Sequence, residues 1–400
     1  MEKSIALVQL TDSKLKLIIG NVIDNKPVLV YSTERPLRST IYRGNIKNFA
    51  NLTEIIKSLT EIVDVDSKIR INLSDAVVLL PPIEFNVYQS NKTTNVVSAT
   101  NIIQAVDIIN VISMVRKEEI KDGDRIVDIV PDYYVLSDNR SSVRPPVGEA
   151  SQILSIQAKV HTLPEGLINT YEQPFVSAGM RIRNFVCEPY AIASLVKSKK
   201  GFPSSYLLID IEDGLTSLTL VSNGSPIKSK YFESGYNDLI ESIINYFGVD
   251  FSEAENLISL YGINDRDLNF EPIIATVNDK KFTPNDLNEA INLFCKDYFL
   301  KMNASYNSLV NGFLVTVKEA PVVFCGRLTE INGFEKLLSD NFKEAKSKHF
   351  LKPDTIGARK SEYSALIGAL LVSENNKGSL SEQQAKVAPI SRMKENKKAK

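Results

Sequence analysis

The stretch from Tyr206 to Pro226 does most to limit what this chain can fold into. An apolar run, Tyr206 to Ile211, carries Asp210 near its end and leads into an acidic-glycine corner, Glu212-Asp213-Gly214. A second run follows at once, with Leu218 and Leu220 alternating against Thr219, and Ser222-Asn223-Gly224 turns the chain into a third run near Ile227. Two tight turns between three alternating runs predict a β-meander, with Asp210 where a buried strand meets an open corner. The same shape opens the chain: Ile5 to Leu10, a turn at Thr11-Asp12-Ser13, Leu15 to Ile19, then Gly20-Asn21 leading toward a third strand at Val28 to Tyr31. A hairpin that starts the chain and returns near its midpoint predicts an internally duplicated, two-lobed α/β fold.

A chain of 400 residues has room for two or more domains. With 47 basic against 48 acidic residues it lacks the basic face of a general nucleic-acid binder, so no nucleic-acid partner is expected. Cys187, Cys295 and Cys325 are dispersed and odd in number, which argues for reduced, buried thiols rather than a disulfide framework or a zinc site. Met1 leads straight into a strand without a signal peptide, and no apolar run approaches the roughly 18 residues that span a bilayer. The expectation is a cytoplasmic protein, soluble unless one end attaches it to a surface.

Along the chain, Leu52 to Val63 has a helical apolar face and Asp75 to Leu80 reads as a strand stopped by Pro81-Pro82. A helix follows through Ile102, Ile103, Val106, Ile109 and Ile112, then strands at Ile126 to Val130, Tyr133 to Leu136 and Ile153 to Val160. Further on come a helix from Pro164 to Ala178, a strand from Ile182 to Cys187, and a hinge or linker from Lys197 to Ser204. Ser252-x-x-Glu255 reads as a capping box, Asn278-Asp279-Lys280 as a hairpin turn, and Thr283-Pro284 as the start of a long helix. The strand Pro321 to Phe324, the corner Cys325-Gly326-Arg327 and a helix from Ser361 to Val372 complete the second lobe. From Glu374 the composition is polar and basic, as in a disordered tail. His161 and His349 have no partner at a triad spacing and read as core or surface residues.

Paired hairpins with an acidic corner resemble the actin-like ATPases, built on duplicated ribonuclease H-like lobes, and the order of segments is most similar to FtsA, the bacterial division actin homologue. The likeness runs over residues 4 to 373. Its most telling part is the segment 83–162, similar to the inserted 1C subdomain of FtsA through Ile129-Val130-Pro131-Asp132-Tyr133, Pro146-Val147-Gly148 and the strand ending at His161. The resemblance implies lobe one at 1–82 and 163–197 (subdomain 1A), 1C at 83–162, lobe two at 205–239 and 311–373 (2A), an inserted 2B at 240–310, and a basic tail at 374–400.

It also implies a cleft where the two corners hold nucleotide phosphates and a metal ion, hence ATP with Mg²⁺. Corner glycines would let backbone N–H groups approach phosphate, and an acidic residue would hold metal or water. By this resemblance the cofactor positions are Lys14, Asp210, Gly214, Thr216 and Gly326. Departures are evident. Asp or Glu followed by Gly at the first corner is here Gln9 and Thr11, and Asp-Ile-Gly-Gly-Gly-Thr-Thr-Asp at the second is Asp210-Ile211-Glu212-Asp213-Gly214-Leu215-Thr216-Ser217. A carboxylate about 6 Å from a phosphate charge costs roughly 3 kcal/mol at an effective dielectric near 20. At the third corner Gly326-Arg327 replaces a Gly-Gly pair, and Arg327 is expected either to stack on a base or to pair with Glu212 or Asp213 across the cleft. The structural reading of the same residues is a strand end at Asp210 and turn glycines at Gly214 and Gly326.

FtsA relatives bind the acidic C-terminal peptide of FtsZ at the second lobe and insert a C-terminal amphipathic helix into the membrane. The corresponding residues here are Lys296 and Lys301 beside Phe294, Tyr298 and Phe299, and, in the tail, Ile390, Arg392, Met393, Lys394, Lys397 and Lys398. Pro389 interrupts any helix there, so attraction to anionic inner-leaflet lipid is expected to be weak and salt-sensitive. The reading is an adaptor that joins a division filament to the inner face of the membrane and self-associates, with hydrolysis not expected. The alternatives are a nucleotide-dependent ATPase or switch on the same fold, and the pilus-assembly actin homologue.

Overall fold

The structure is a computed structural model, described over residues 4–37, 39–64, 69–263, 272–311 and 319–374. The described residues divide into two compact units: those within 4–84 and 170–370, and those within 85–169 and 371–374.

The first unit opens on β1 (Ile5–Leu10), β2 (Lys14–Ile23) and β3 (Lys26–Pro36), then β4 (Ile41–Tyr42), β5 (Asn45–Ile46), α1 (Phe49–Thr60), β6 (Glu61–Asp64), β7 (Ile69–Asn72) and β8 (Asp75–Leu80). The second unit supplies β9 (Asn86–Asn95), α2 (Ala105–Val115), β10 (Asp124–Leu136), β11 (Ser141–Ser142) and β12 (Ile153–Pro164). The chain then runs through α3 (Glu165–Ser177), β13 (Arg181–Cys187), α4 (Glu188–Ser198), β14 (Tyr206–Ile211), β15 (Thr216–Ser222) and β16 (Ser225–Phe232). Next come α5 (Tyr236–Phe247), α6 (Phe251–Tyr261), β17 (Ala275–Val277), β18 (Lys280–Phe282) and α7 (Pro284–Val310). β19 (Val322–Cys325), a 3-10 turn at Arg327–Glu330, α8 (Phe334–Asn341), β20 (Lys348–Phe350) and a helix over 364–374 finish it.

The duplication is explicit. One sheet of the first unit has the order β13-β8-β1-β2-β3 and the other β16-β15-β14-β19-β20. In each, an antiparallel meander (β1-β2-β3, β14-β15-β16) is extended on its first strand by two parallel strands. Both β1 and β14 are buried along their whole length, as central strands covered on both faces should be. Leu207, Ile209 and Leu218 pack with Leu239 and Ile243 of α5 and Phe294 and Tyr298 of α7 in one core. In the second unit β11-β10-β12-β9 form a sheet whose Leu154, Ile156 and Val160 bury Ile108, Val111 and Val115 of α2.

Several boundaries differ from the sequence reading. The turn between β2 and β3 lies at Asp24-Asn25, both at positive φ (50° and 59°), so the third strand starts at Lys26 rather than Val28. That is the backbone of a tight two-residue hairpin turn, which Asp and Asn tolerate. α6 is capped by Asp250 with Glu253 closing the box, not by Ser252 with Glu255. That leaves Glu255 free for another contact.

Candidate functional site

The two corner turns belong to the same unit, and they meet. Turn one, Thr11-Asp12-Ser13, is closed by the Thr11 amide on the Lys14 carbonyl at 2.9 Å, and turn two by the Glu212 amide on the Leu215 carbonyl at 3.0 Å. The Ser13 amide (3.0 Å) and hydroxyl (2.5 Å) both donate to Asp213 Oδ2. Asp12 accepts from the backbone amides of Arg43 (2.5 Å) and Gly44 (2.9 Å). A Cβ on Gly214 would lie 2.2 Å from Asp12 Oδ2, so only glycine lets the turns approach this closely. Turn two is also held from behind, because the first amides of α5, Tyr236 and Asn237, donate to the carbonyls of Glu212 (3.0 Å) and Asp213 (2.8 Å).

Arg327 crosses this junction. Its Nη1 reaches Asp213 Oδ1 at 2.5 Å and the Ser13 hydroxyl at 2.8 Å, while Nη2 pairs with Glu255 Oε1 at 2.5 Å. The guanidinium carbon sits 3.9 Å from the centre of the Tyr236 ring. Of the two expected outcomes, pairing with Asp213 is found. Glu212 is not its partner, and Glu255, freed from capping, is one that the sequence reading missed. Burial pushes the Asp213 carboxyl up, but Arg327, Lys16 and the Ser13 hydrogen bond outweigh it and hold the group at about 2.

Lys14 lies off this junction. Its Nζ pairs with Glu34 at 2.9 Å. Lys16, two residues along on the same face of β2, is 1% exposed and approaches Glu362 Oε2 at 3.1 Å and Glu212 Oε2 at 4.0 Å. Desolvation lowers its pKa, yet Glu212, Glu362 and Asp213 together leave it above its ordinary value. Thr216 is fully buried, donates to the Ser234 carbonyl at 2.7 Å and meets the Tyr298 hydroxyl at 3.0 Å, facing the core behind the turn. The Gly326 amide donates to the Ser361 hydroxyl at 3.1 Å. Asp210 accepts from the Cys325 thiol at 3.3 Å.

Behind the turns is a cavity of about 30 Å³, room for about one water, lined among others by Asp12, Glu188, Asp210, Glu212, Asp213 and Ser217. A space of that size has no room for a phosphate, and among the described residues no cluster of three or more His, Cys, Asp or Glu is arranged to hold a metal ion. Burial, reinforced by Asp210, pushes Glu188 up to about 7. A pH dependence follows. The unfolded carboxyl titrates near 4.5, so between about 4.5 and 7 the folded chain holds a proton that the unfolded chain has lost. Stability therefore falls as pH rises through that window, by about 3 kcal/mol in full at 1.36 kcal/mol per pH step. Urea midpoints should decrease from pH 5 to 8, and Glu188→Gln, which keeps an acceptor for Gln9 Nε2 (2.7 Å), should flatten the decrease.

A much larger concavity, about 730 Å³, lies on the outer side of α7, lined by Tyr246, Leu293, Lys296, Phe299, Leu300 and Leu337 among others. Leu293 (54%) and Leu300 (71%) are exposed there, whereas Phe294 and Tyr298 are core residues. Lys296 lines the concavity, and Lys301 pairs with Asp297 at 2.6 Å one turn along. All three cysteines are buried. His161 is buried against Phe85, and His349 meets the Ser347 hydroxyl at 3.0 Å. Among the described residues no helix is long and apolar enough to cross a membrane. The tail positions Ile390, Arg392, Met393, Lys394, Lys397 and Lys398 fall outside the described residues.

No protein-family model matches the chain. It is 21% identical over 370 residues to the cell division protein FtsA of Bacillus subtilis, spanning 90% of this chain and 80% of that protein. It is 22% identical over 279 residues to FtsA of Buchnera aphidicola, spanning 65% of this chain and 61% of the relative. The chain is a divergent FtsA-like protein. The solved PilM-PilN type IV pilus biogenesis complex matches 92% of this FtsA-like chain and 98% of its own, with TM-score 0.59 and 17% identity. MreB5 of Spiroplasma citri bound to AMPPNP matches 95% and 99%, with TM-score 0.54 and 12% identity. These likenesses establish the actin-like fold.

Proposed function

We propose that this FtsA-like chain is a cell-division adaptor that links an FtsZ filament to the inner face of the cytoplasmic membrane and self-associates, with a cleft that has lost productive nucleotide binding. The observation that carries the proposal is the likeness to FtsA over 90% of the chain, joined to a cleft whose turns are hydrogen-bonded to each other. A nucleotide-driven ATPase or switch is disfavoured. Asp213 occupies the Ser13 amide of turn one, and Asp12 the amides of Arg43 and Gly44 in the neighbouring β4–β5 turn, which leaves these donors nothing to offer a phosphate. AMPPNP in MreB5 is nonetheless a property of a neighbour in fold, so ATP with Mg²⁺ is the ligand to test. A pilus-assembly role rests on fold likeness alone, and sequence likeness over most of the chain outweighs it.

The α7 concavity suits the FtsZ C-terminal peptide. Exposed Leu293 and Leu300 offer an apolar seat, and Lys296 a cation for acidic residues. A pull-down with that peptide should succeed, and the double variant Lys296→Glu, Lys301→Glu should weaken it by about tenfold or more, two reversed charges being worth at least about 1.4 kcal/mol. Equal capture by both proteins would remove this partner. Polybasic residues of the tail, each worth about 1 kcal/mol at an anionic surface, account for membrane attachment. Deleting 379–400 should abolish binding to anionic liposomes, and unchanged binding would place the attachment elsewhere.

A further inference from the structure

We propose that Arg327 is a resident clasp, an internal cation that holds the two corner turns and α6 together in place of a bound ligand. This rests on the closed-cleft reading above and adds what keeps the cleft closed. The guanidinium joins three distant parts of the chain: Ser13 in turn one, 314 residues away, Asp213 in turn two, 114 away, and Glu255 of α6, 72 away. Its side chain is only 14% exposed and Asp213 only 2%, so salt screens this pair weakly.

Charge explains why a clasp is needed. Turn one brings Asp12 and turn two brings Asp213 to one junction, and Glu255 adds a third carboxylate from α6. Without a cation such an arrangement repels itself. Arg327 supplies that cation in a form that a lysine would not. Its planar fork serves Asp213 and Ser13 with one nitrogen and Glu255 with the other, and its face rests on Tyr236. Both oxygens of Asp213 are then engaged, Oδ1 by Arg327 and Oδ2 by both donors of Ser13. The Ser13–Asp213 bonds lie between turns that a ligand would have to part, and Arg327 braces both of their ends.

Hydrogen–deuterium exchange on the full chain tests the clasp. In the wild type the amides of 11–16 and 211–216 should be protected to the same degree with and without millimolar Mg-ATP. Arg327→Ala should speed exchange in both turns by about tenfold, with β8 and β13 unchanged, and Arg327→Lys should restore little of it. Unchanged turn exchange in Arg327→Ala overturns the clasp. If that variant does not fold, Glu255→Gln decides. Removing one arm should speed exchange in α6 and in turn two, and no change in either sinks the proposal. Slower exchange of wild-type turns in Mg-ATP overturns instead the closed-cleft reading, leaving the variants to judge the clasp.

Discussion

Replacing Lys16 with methionine is expected to destabilise the protein by about 3–5 kcal/mol at pH 7, the range found when one partner of a buried ion pair is removed. Methionine matches the length of lysine closely enough to keep β2 packed, so the loss isolates charge. In the wild type Nζ donates to the Glu362 carbonyl at 2.8 Å, pairs with its carboxylate at 3.1 Å, and lies 5.5 Å from the Tyr363 ring centre. Without it, the Glu362 carboxylate remains buried and loses its cation, whereas burial already pushes the Glu212 carboxyl well above its ordinary value. Glu362 would answer by taking up a proton, so the gap between variant and wild type should shrink as pH falls from 8 to 5. Denaturant unfolding at the two pH values measures it. An equal gap at both would show that the loss is packing alone.

Gly326→Ala is expected to be at least as damaging. The backbone there has φ 91°, and a Cβ would lie 2.4 Å from the Ile211 carbonyl oxygen and 2.6 Å from its carbonyl carbon and its amide nitrogen. These are main-chain atoms of β14, whose parallel pairing with β19 ends at Asp210 and Cys325 just before the contact. Relief requires the strands to part, so a cost above about 4 kcal/mol, seen as loss of soluble protein or a collapse of the urea midpoint, is anticipated. Gly123→Ala provides the control. It shares a positive φ of 83° but has no atom within 4 Å of its Cβ, so it should cost only about 1–2 kcal/mol. Similar losses at both sites would mean that backbone conformation, not the approach to Ile211, governs Gly326.

Local patterns made the duplicated meanders readable, because each is a run of alternating residues closed by its own turn. β9 was not anticipated. Its Asn86–Asn95 stretch has only Val87 as an aliphatic residue, and it becomes a strand by pairing with β12 across more than half of the second unit's sequence. β20 is three half-buried residues beside β19, too short to show a period. The α6 cap was ambiguous because Asp250-x-x-Glu253 and Ser252-x-x-Glu255 satisfy the same rule. At the site, Asp210, Gly214 and Gly326 stood out as corners, and Arg327 as a group facing Asp213. Lys16 could not be found this way, and Asp12, Ser13 and Glu255 were legible only as turn or cap residues, without the contacts they make. Their partners are about 30 to 350 residues away, and nothing in their immediate neighbours distinguishes Lys16 from Lys14.

The pairing of Asn86 with Thr162 puts the first and last strands of the 85–169 segment side by side. The chain therefore departs and returns through one doorway about 5 Å wide, the spacing of adjacent strands. A module attached in this way is exchangeable. Trading it for a short turn, or for another domain with neighbouring termini, would ask no long detour of β8 or α3.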